Sequence, residues 1–324
     1  MCTAVSYKTK SHYFGRNLDL EYSFREMVTI TPRNYPLQFR NGQELHNHYA
    51  LIGMATVADN YPLYYEATNE AGLSLAGLNF PGNAIYYSKA DHLINITPYE
   101  LIPWILGKCK NTEEALRELK RINLWNKSFS NEYPLSPLHW MLSDRNTSFT
   151  IETTIDGMRV HENKIGILTN NPPFEYHLHH LSQYMGLSAH DPSNQFSKEL
   201  DLKPFSLGMG AIGLPGDPSS PSRFVKAAFV KWNSVHESTE SASVVQFFHI
   251  LSSVAQQKGI THVHDGKYEF TLYSSCCNTD QGIYYYTTYD HPSITAVDMH
   301  REDLNGNTLI TYPLRTNWHV EFEN

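Results

Sequence analysis

The order of strand-like and helix-like segments restricts the fold of this chain more than any other feature of its sequence. Short alternating or apolar runs, typical of strands, fill the N-terminal third and return both in the middle and near the C-terminus. Helices are expected between them, at about 98–108, 112–121, 175–184, 221–232 and 243–257. We find neither an internal repeat nor a linker that divides the 324 residues. Strands at both ends with helices between them predict the α+β class and a single domain over residues 1–324.

Turn and cap residues support these boundaries. Residues 69–72 are expected to form the turn of a hairpin. Thr97 before Pro98 predicts a helix start, and Asn111 is the expected cap of the next helix. The segment at about 187–217 is rich in Ser, Pro and Gly, and it predicts a long excursion from the fold.

Charge and composition exclude several classes of partner. The formal net charge is −8 and we find no cluster of Lys and Arg, so no nucleic acid is expected to bind. The first thirty residues do not read as a signal peptide, and no apolar run approaches the roughly 18 residues of a membrane span. Four cysteines without Cys-x-x-Cys spacing do not indicate a disulfide framework. These features predict a cytoplasmic protein that binds no membrane.

Two patterns imitate cofactor or metal sites. Residues 208–213 match Gly-x-Gly-x-x-Gly, but Pro215 and Pro218 follow where a dinucleotide motif needs a helix. Closely spaced histidines such as His262 and His264 lack the carboxylate of an H-E-x-x-H motif. A metal-dependent hydrolase built on such histidines is the corresponding alternative. We expect neither a cofactor nor a metal.

Cys2 is the first candidate for chemistry. Its small side chain permits removal of Met1, which would place a free α-amine and a thiol on one residue. An α-amine has an ordinary pKa of about 7.7–8.0 and can accept a proton near neutral pH. A thiol, with a pKa of about 8.5, needs only modest help to become a thiolate. Cys2 can therefore supply both a nucleophile and its general base.

Five further polar residues are candidates for the same site, although each also has an ordinary structural interpretation. Arg16 and Asp19 lie three apart and would face opposite sides of a strand, so a turn or bulge is expected if both reach one site. Asn79 and Asn170 lie beside predicted turns, and an amide donor suits an oxyanion hole. Arg223 is expected in the first turn of a helix, where the helix dipole disfavours a cation.

Together these segments resemble the choloylglycine hydrolase family, the Ntn hydrolases that comprise bile salt hydrolases and penicillin V acylases. The similarity runs nearly end to end, through MCTA, FGRNLDLEYSF, NEAGLSLAGLNFPG, LHWMLSD, IGILTNNPPF, IGLPGDPSSPSRF and GIYYYTTYD. The resemblance implies a four-layer αββα sandwich of two antiparallel sheets between helix layers. It also implies a homotetramer in which the excursion at about 187–217 reaches a neighbouring subunit.

The resemblance further implies a reaction. The Cys2 sulfur attacks an amide carbonyl to give a thioester, while its α-amine, freed by loss of Met1, carries the proton. Asn79 and Asn170 are expected to stabilise the oxyanion, and Asp19 to orient the amine. Two arginines supply positive charge near the thiolate. The implied catalytic residues are Cys2, Arg16, Asp19, Asn79, Asn170 and Arg223.

The expected substrate is the amide between a bile acid and glycine or taurine. Asn79 stands where the family's penicillin V acylases tend to carry tyrosine, which favours the bile salt hydrolases. Penicillin V or another N-acyl amide is the alternative substrate, and a non-catalytic binder of amphipathic anions is the alternative of another class. A steroid requires an apolar pocket. By resemblance the pocket candidates are Leu18, Ala58, Phe129, Tyr133 and Leu138.

Overall fold

Two antiparallel sheets form the centre of the fold in the computed structural model, which describes residues 1–235 and 238–324. Within these residues the first sheet has seven strands and the second has eight, and two small two-stranded pieces lie beside them. In chain order the strands are β1 (Cys2–Lys8), β2 (His12–Leu20), β3 (Met27–Thr31), β4 (Leu37–Gln38), β5 (Glu44–Leu45), β6 (Leu51–Ala58), β7 (Tyr61–Asn69), β8 (Ser74–Asn79), β9 (Ile94–Ile96), β10 (Ile122–Leu124), β11 (Leu138–Ser143), β12 (Ser148–Thr154), β13 (Gly157–Glu162), β14 (Ile167–Leu168), β15 (Thr261–His262), β16 (Tyr268–Asn278), β17 (Ile283–Thr288), β18 (Thr295–Asp298) and β19 (Ile310–Pro313).

The strand order places the two ends of the described chain in different sheets. The first sheet has the order β14-β1-β2-β16-β17-β18, with β15 also paired to β16. The second sheet has the order β13-β12-β11-β8-β7-β6-β3-β19. The small pieces are the parallel pair β9–β10 and the antiparallel pair β4–β5. The N-terminal β1 therefore lies inside the first sheet, next to β2.

Helices cover the outer face of each sheet. Apolar residues of two helices, such as Trp104 and Leu119, pack with Leu75 and Trp140 of the second sheet. Three other helices contribute residues such as Phe224 and Phe247 to the core that includes the first sheet. The five helices of the described residues are α1 (Leu101–Lys108), α2 (Thr112–Leu119), α3 (Phe174–Leu181), α4 (Ser220–Trp232) and α5 (Glu240–Ser252), and short 3₁₀ turns lie at Pro98–Glu100, Ser182–Tyr184, Met209–Ala211, His264–Gly266 and Met299–Arg301.

The layer order is therefore helix, sheet, sheet, helix, which confirms the α+β and αββα predictions. The first sheet lies between the helices and the second sheet, so its central strands are covered on both faces. As a result β2 buries every residue from His12 to Asp19, including charged side chains. A buried charge is costly unless it is paired, so these side chains must find partners inside the protein.

Local signals from the sequence predicted most of the elements correctly. The turn at residues 69–72 joins β7 to β8, and Asn111 caps α2 by accepting from Glu114 N at 2.9 Å. The segment 187–217 is irregular apart from the short turn Met209–Ala211, and no α-helix follows the Gly-x-Gly-x-x-Gly pattern until Ser220.

The predicted C-terminal limit of the fifth helix was wrong. The helix ends at Ser252 instead of residue 257. The backbone of Gln256 is bound by a strand: its carbonyl accepts from Thr271 N at 3.0 Å, and its N–H donates to the Thr271 hydroxyl at 2.8 Å. A pairing so distant in sequence leaves no sign in the local helical pattern.

Candidate active site

Cys2 opens β1 and is buried, with 2% of its surface exposed. It pairs with Leu18 of β2, and Ala4 pairs with Arg16. Because side chains directly opposite each other in a sheet share a face, the side chains of Cys2 and Arg16 are on the same side. The Cys2 N–H donates to Asn170 Oδ1 at 2.8 Å, so a side chain outside β1 holds the Cys2 nitrogen in place.

The two faces of β2 contact different layers of the protein. Arg16 Nη1 donates to the carbonyls of Gly77 at 2.5 Å and Tyr65 at 3.2 Å, both in the second sheet. Asn17 Nδ2 donates to Leu251 O of α5 at 2.9 Å. Arg16 therefore points between the sheets, and Asn17 points toward the helices. By the alternation of a strand, Asp19 shares the helix face with Asn17.

No turn or bulge interrupts β2 between Arg16 and Asp19, contrary to the sequence-based expectation. The strand runs continuously over the described range His12–Leu20, and the register shift lies in the facing strand, between Thr271 and Tyr273. The two side chains instead approach the end of β1 from opposite faces of the sheet.

Arg16 is completely buried and lies beside a buried carboxylate. Its Nε is 3.9 Å from Glu66 Oε2 in β7. Burial raises the pKa of Glu66, while the nearby guanidinium and three hydroxyl donors oppose that rise. The donors are Tyr273 at 2.8 Å, Ser275 at 3.0 Å and Tyr284 at 2.5 Å.

One end of the Arg16 guanidinium is free to act on the site. Among the described residues its Nη2 has no hydrogen-bond partner. Burial would lower the pKa of Arg16. The surrounding acidic groups raise it overall, and Cys2 has the largest raising effect, with a smaller one from Glu66. The guanidinium therefore remains charged and can stabilise a thiolate at Cys2.

Asp19 presents one occupied and one free oxygen. Its Oδ1 accepts from the Thr271 hydroxyl at 2.6 Å, while Oδ2 has no partner among the described residues. Burial raises the pKa of Asp19, against the opposing effects of the N-terminal ammonium, Arg223, Thr271 and Arg16. A buried carboxylate oxygen without a donor is costly, so Oδ2 marks a place for a hydrogen-bond donor.

Met1 occupies the space beyond the nucleophile. Its carbonyl accepts from Asp19 N at 3.0 Å, and its ammonium donates to Asp19 O at 2.8 Å and pairs with Glu269. Burial lowers the pKa of this ammonium. Removal of Met1 would free both backbone groups of Asp19 and leave the new α-amine beside Asn170.

Asn170 connects the other polar groups of the site. Its Oδ1 accepts from Cys2 N and from Arg223 Nη2, the latter at 2.7 Å. Its Nδ2 donates to Asn79 O at 2.7 Å and retains a second hydrogen. Its backbone is held by Ser220 Oγ at 2.8 Å and by His177 Nε2 at 2.9 Å.

Arg223 approaches Cys2 from the first turn of α4, as predicted. It is buried, and its Nη1 donates to Cys2 O at 2.5 Å and to the Thr3 hydroxyl at 2.6 Å. Burial lowers its pKa, while Asp19 and Cys2 raise it. The structure therefore brings all six expected catalytic residues around one end of β1, with Asn79 at the end of β8 and half-buried.

The pocket candidates fall into two groups. Leu18 pairs with Cys2, and Leu138 pairs with Asn79, so each lies directly opposite one of the candidate catalytic residues. The second group is the aromatic cluster, which we define as Tyr61, Tyr99, Phe129 and Tyr133, with ring centroids 5.2–6.1 Å apart along its contacts. Ala58 lies beside this cluster because it pairs with Tyr61.

Four residues that the sequence reasoning missed complete the site. Tyr65 accepts from Arg16 and bonds through its hydroxyl to Thr56 at 2.9 Å. The others are Glu66, Glu269 and Thr271, whose contacts are described above. An acidic residue within the apolar strand YYEATN was the one available signal, because a carboxylate in a covered strand requires partners.

Other features of the described residues bear on the expected chemistry. Among them, no group of three or more His, Cys, Asp or Glu residues could hold a metal ion. None of the helices in the described part of the chain is long and apolar enough to cross a membrane. All four cysteines are free and buried.

Comparison with known proteins decides the family. Residues 2–312 match the model of the linear amide C–N hydrolases, choloylglycine hydrolase family. The chain belongs to this family. It is a hydrolase that acts on linear amide C–N bonds, and the family resemblance seen in the sequence is confirmed.

Individual family members are similar over almost their whole length. The bile salt hydrolase/transferase of Lactiplantibacillus plantarum is 53% identical over 98% of both chains. The bile salt hydrolase/transferase of Clostridium perfringens is 39% identical over 96% of both chains.

Solved structures agree with the fold of this choloylglycine hydrolase family member. A crystal structure of a variant of the conjugated bile acid hydrolase from Clostridium perfringens matches with a TM-score of 0.93 and 37% identity, covering all of both chains. Penicillin V acylase from Agrobacterium tumefaciens matches with a TM-score of 0.74 at 18% identity, over 96% of this chain and 90% of that one, and supports the fold alone.

Proposed function

We propose that this hydrolase cleaves the amide between a bile acid and glycine or taurine, with Cys2 as nucleophile. The observation that carries the proposal is the geometry around Cys2: its nitrogen is held by Asn170 at 2.8 Å, with Arg16, Asp19 and Arg223 arranged around the same residue. Relatives with 53% and 39% identity over nearly the whole chain carry the name bile salt hydrolase/transferase, and these names support the choice of substrate.

The reaction requires the mature N-terminus. We propose that Met1 is removed and that the Cys2 α-amine then accepts the thiol proton. The thiolate sulfur bonds to the amide carbonyl carbon, and the ammonium passes its proton to the nitrogen of the leaving amine as the C–N bond breaks. Water then attacks the thioester, the α-amine accepts one of its protons, and the sulfur leaves with a proton as the free bile acid forms.

The charged and polar neighbours have separate roles in this mechanism. Arg16 and Arg223 supply positive charge near the sulfur, and Asp19 orients the α-amine. Asn170 has a free amide hydrogen after its bond to Asn79 O, and we assign this hydrogen to the oxyanion. The Asn79 side chain is the second proposed oxyanion donor.

The substrate assignment also rests on the surroundings of the nucleophile. Leu18 lies opposite Cys2, Leu138 lies opposite Asn79, and Ala58, Phe129 and Tyr133 provide further apolar and aromatic side chains. A steroid requires such a surface. Penicillin V, or another N-acyl amide, remains the alternative substrate. The enzyme class of the family disfavours the idea of a non-catalytic anion binder.

Product analysis with a mixture of glycocholate, taurocholate and penicillin V tests the proposal. We expect free cholate together with glycine and taurine, and slower cleavage of penicillin V. A large preference for penicillin V would overturn the substrate assignment. In a separate reaction with glycocholate as the only bile salt, taurocholate formed from added taurine would show that an amine can replace water at the thioester. Metal chelators are expected to leave the rate unchanged.

Three further proposals concern the protein as a whole. We propose that residues 1–324 form one domain, supported by pairing of β19 with β3. The segment at about 187–217 is proposed as a contact between subunits of a homotetramer. Four free cysteines support a reducing compartment, for which we propose the cytoplasm.

A further inference from the structure

Thr271 lies in β16 directly opposite Asp19, at the register shift of that strand. Its hydroxyl donates to Asp19 Oδ1 at 2.6 Å. The Thr271 hydroxyl oxygen also accepts from Gln256 N at 2.8 Å. A hydroxyl has a single hydrogen, and a backbone N–H can only donate. The contact with Gln256 therefore leaves the Thr271 hydrogen for Asp19.

This arrangement fixes which oxygen of Asp19 stays free. Oδ1 is occupied by Thr271, and Oδ2 has no partner among the described residues although it is buried. The hydrogen bond is short and goes to a charged acceptor, so it restricts rotation of the carboxylate. Oδ2 is thereby left as the acceptor for a donor that arrives only with the mature N-terminus.

We propose that Thr271 is a positioning residue for the amide hydrolysis proposed above: it holds the Asp19 carboxylate so that Oδ2 can bind the Cys2 α-amine. The inference rests on the proposed function of that amine. When the α-amine takes the thiol proton it becomes an ammonium, and Oδ2 accepts one of its hydrogens. The ammonium then gives its extra proton to the leaving nitrogen, so Thr271 itself neither gains nor loses a proton.

The role predicts a change in pH dependence. A hydrogen bond to the ionised carboxylate favours that form, so loss of the Thr271 hydroxyl raises the pKa of Asp19. Asp19 must be ionised to hold the ammonium. As the pH falls, a variant without the Thr271 hydroxyl should therefore lose activity at a higher pH than the wild type. The charged or titratable groups around Asp19 are the N-terminal amine of Met1, Cys2 of β1, Arg16 of β2, Arg223 of α4 and, beside the N-terminus, Glu269 of β16.

Substitution of Thr271 by valine removes the hydroxyl and keeps the side-chain volume. We expect Thr271→Val to lower kcat for glycocholate about tenfold, the size expected for loss of one hydrogen bond to a charged group. KM should stay unchanged, because Thr271 lies on the helix face of the sheet. The acid limb of the kcat/KM profile should move to higher pH, and Thr271→Ser should restore both properties.

A matched control removes a neighbouring hydroxyl. Thr261 donates to the Gln256 side chain at 3.1 Å and not to Asp19, so Thr261→Val should retain the wild-type profile. If Thr271→Val does not fold, Thr271→Ala replaces it in the same comparison with Thr271→Ser. An unchanged acid limb in Thr271→Val, or an equal shift in Thr261→Val, would overturn the inference.

The pH dependence of Cys2 alkylation by iodoacetamide, followed by intact mass, separates the inference from the proposed function. It reports the amine–thiol pair without a bile salt. A profile that shifts in Thr271→Val but not in Thr261→Val supports the positioning role, even if the wild type hydrolyses no conjugated bile salt and the substrate proposal fails. Hydrolysis by the wild type with identical alkylation profiles in all variants refutes the positioning role alone.

Discussion

Arg16 shows how a catalytic cation can be kept in a dry interior. Its counter-charge is Glu66, and three hydroxyl groups donate hydrogen bonds to that carboxylate. Such a pair gives little net stability, because desolvation of both charges offsets their attraction. The arrangement instead fixes the guanidinium so that Nη2 stays free for the thiolate.

Replacement of Glu66 by glutamine should therefore be strongly destabilising. It leaves Arg16 buried without its counter-charge, and loss of one partner of a buried pair costs about 3 kcal/mol. Urea denaturation measures the change in the free energy of unfolding. Glu113→Gln is the matched control, because Glu113 is 79% exposed in its ion pair with Arg117 and should cost at most about 0.5 kcal/mol. Equal effects of the two substitutions would contradict the role of Glu66.

The limits of prediction from sequence are clearest at single residues. Cys2, Arg16 and Asp19 were expected from family resemblance, and the structure places them together. Glu66 and Thr271 were missed because their partners lie far away in the sequence: Tyr284 is 218 residues from Glu66, and Asp19 is 252 residues from Thr271. A single sequence does not reveal such contacts by periodicity or spacing.

At the scale of elements, the pairing of β2 with β16 determines the geometry of the site. Asp19 lies opposite Thr271, and Gly15 lies close to the backbone of β16 at Ser275. A Cβ at position 15 would be 2.0 Å from Ser275 O, so only glycine permits this approach. The glycine of the GRNLD segment thus has a structural function that its position in the motif did not explain.

Substitution of Gly15 by alanine should separate β2 from β16. Overpacking of this kind costs about 2–3 kcal/mol, because the contact is with rigid backbone and not with a flexible side chain. Thermal and urea unfolding would measure the loss. Gly186→Ala is the control, since no atom lies within 4 Å of a Cβ built there and stability should change little. A fully stable Gly15→Ala protein would show that the strands can move apart.

Elements with a strong local signal were predicted well, and those defined by distant contacts were not. The cap at Asn111 and the turn at residues 69–72 were correct because neighbouring residues determine them. The end of α5 was wrong because Thr271 binds the backbone of Gln256. The alternation of β2 was clear from the sequence, but the presence of functional groups on both its faces was not.

At the scale of the whole molecule, one segment exposes apolar side chains that the core does not use. Phe205 is 87% exposed and Leu207 is 91% exposed, both within the segment at about 187–217. Several large exposed apolar residues in one segment are typical of an interaction surface. This supports the proposed contact between subunits.

The double substitution Phe205→Ser with Leu207→Ser should weaken the proposed tetramer. Light scattering after size exclusion should give four times the 37.1 kDa chain mass for the wild type and a smaller species for the variant. Trp318→Ser is the control, because Trp318 is 76% exposed but lies outside the segment. A monomeric wild type, or an unchanged tetramer in the double variant, would contradict the proposal.

The most direct measurement is mass spectrometry of the N-terminal peptide from active enzyme, taken before substrate is added and after acid quenching during glycocholate turnover. We expect a peptide that begins at Cys2, lacks Met1 and carries a cholyl group on sulfur in the quenched sample. Full activity in protein that retains Met1, or a cholyl group attached to any other residue, would contradict it.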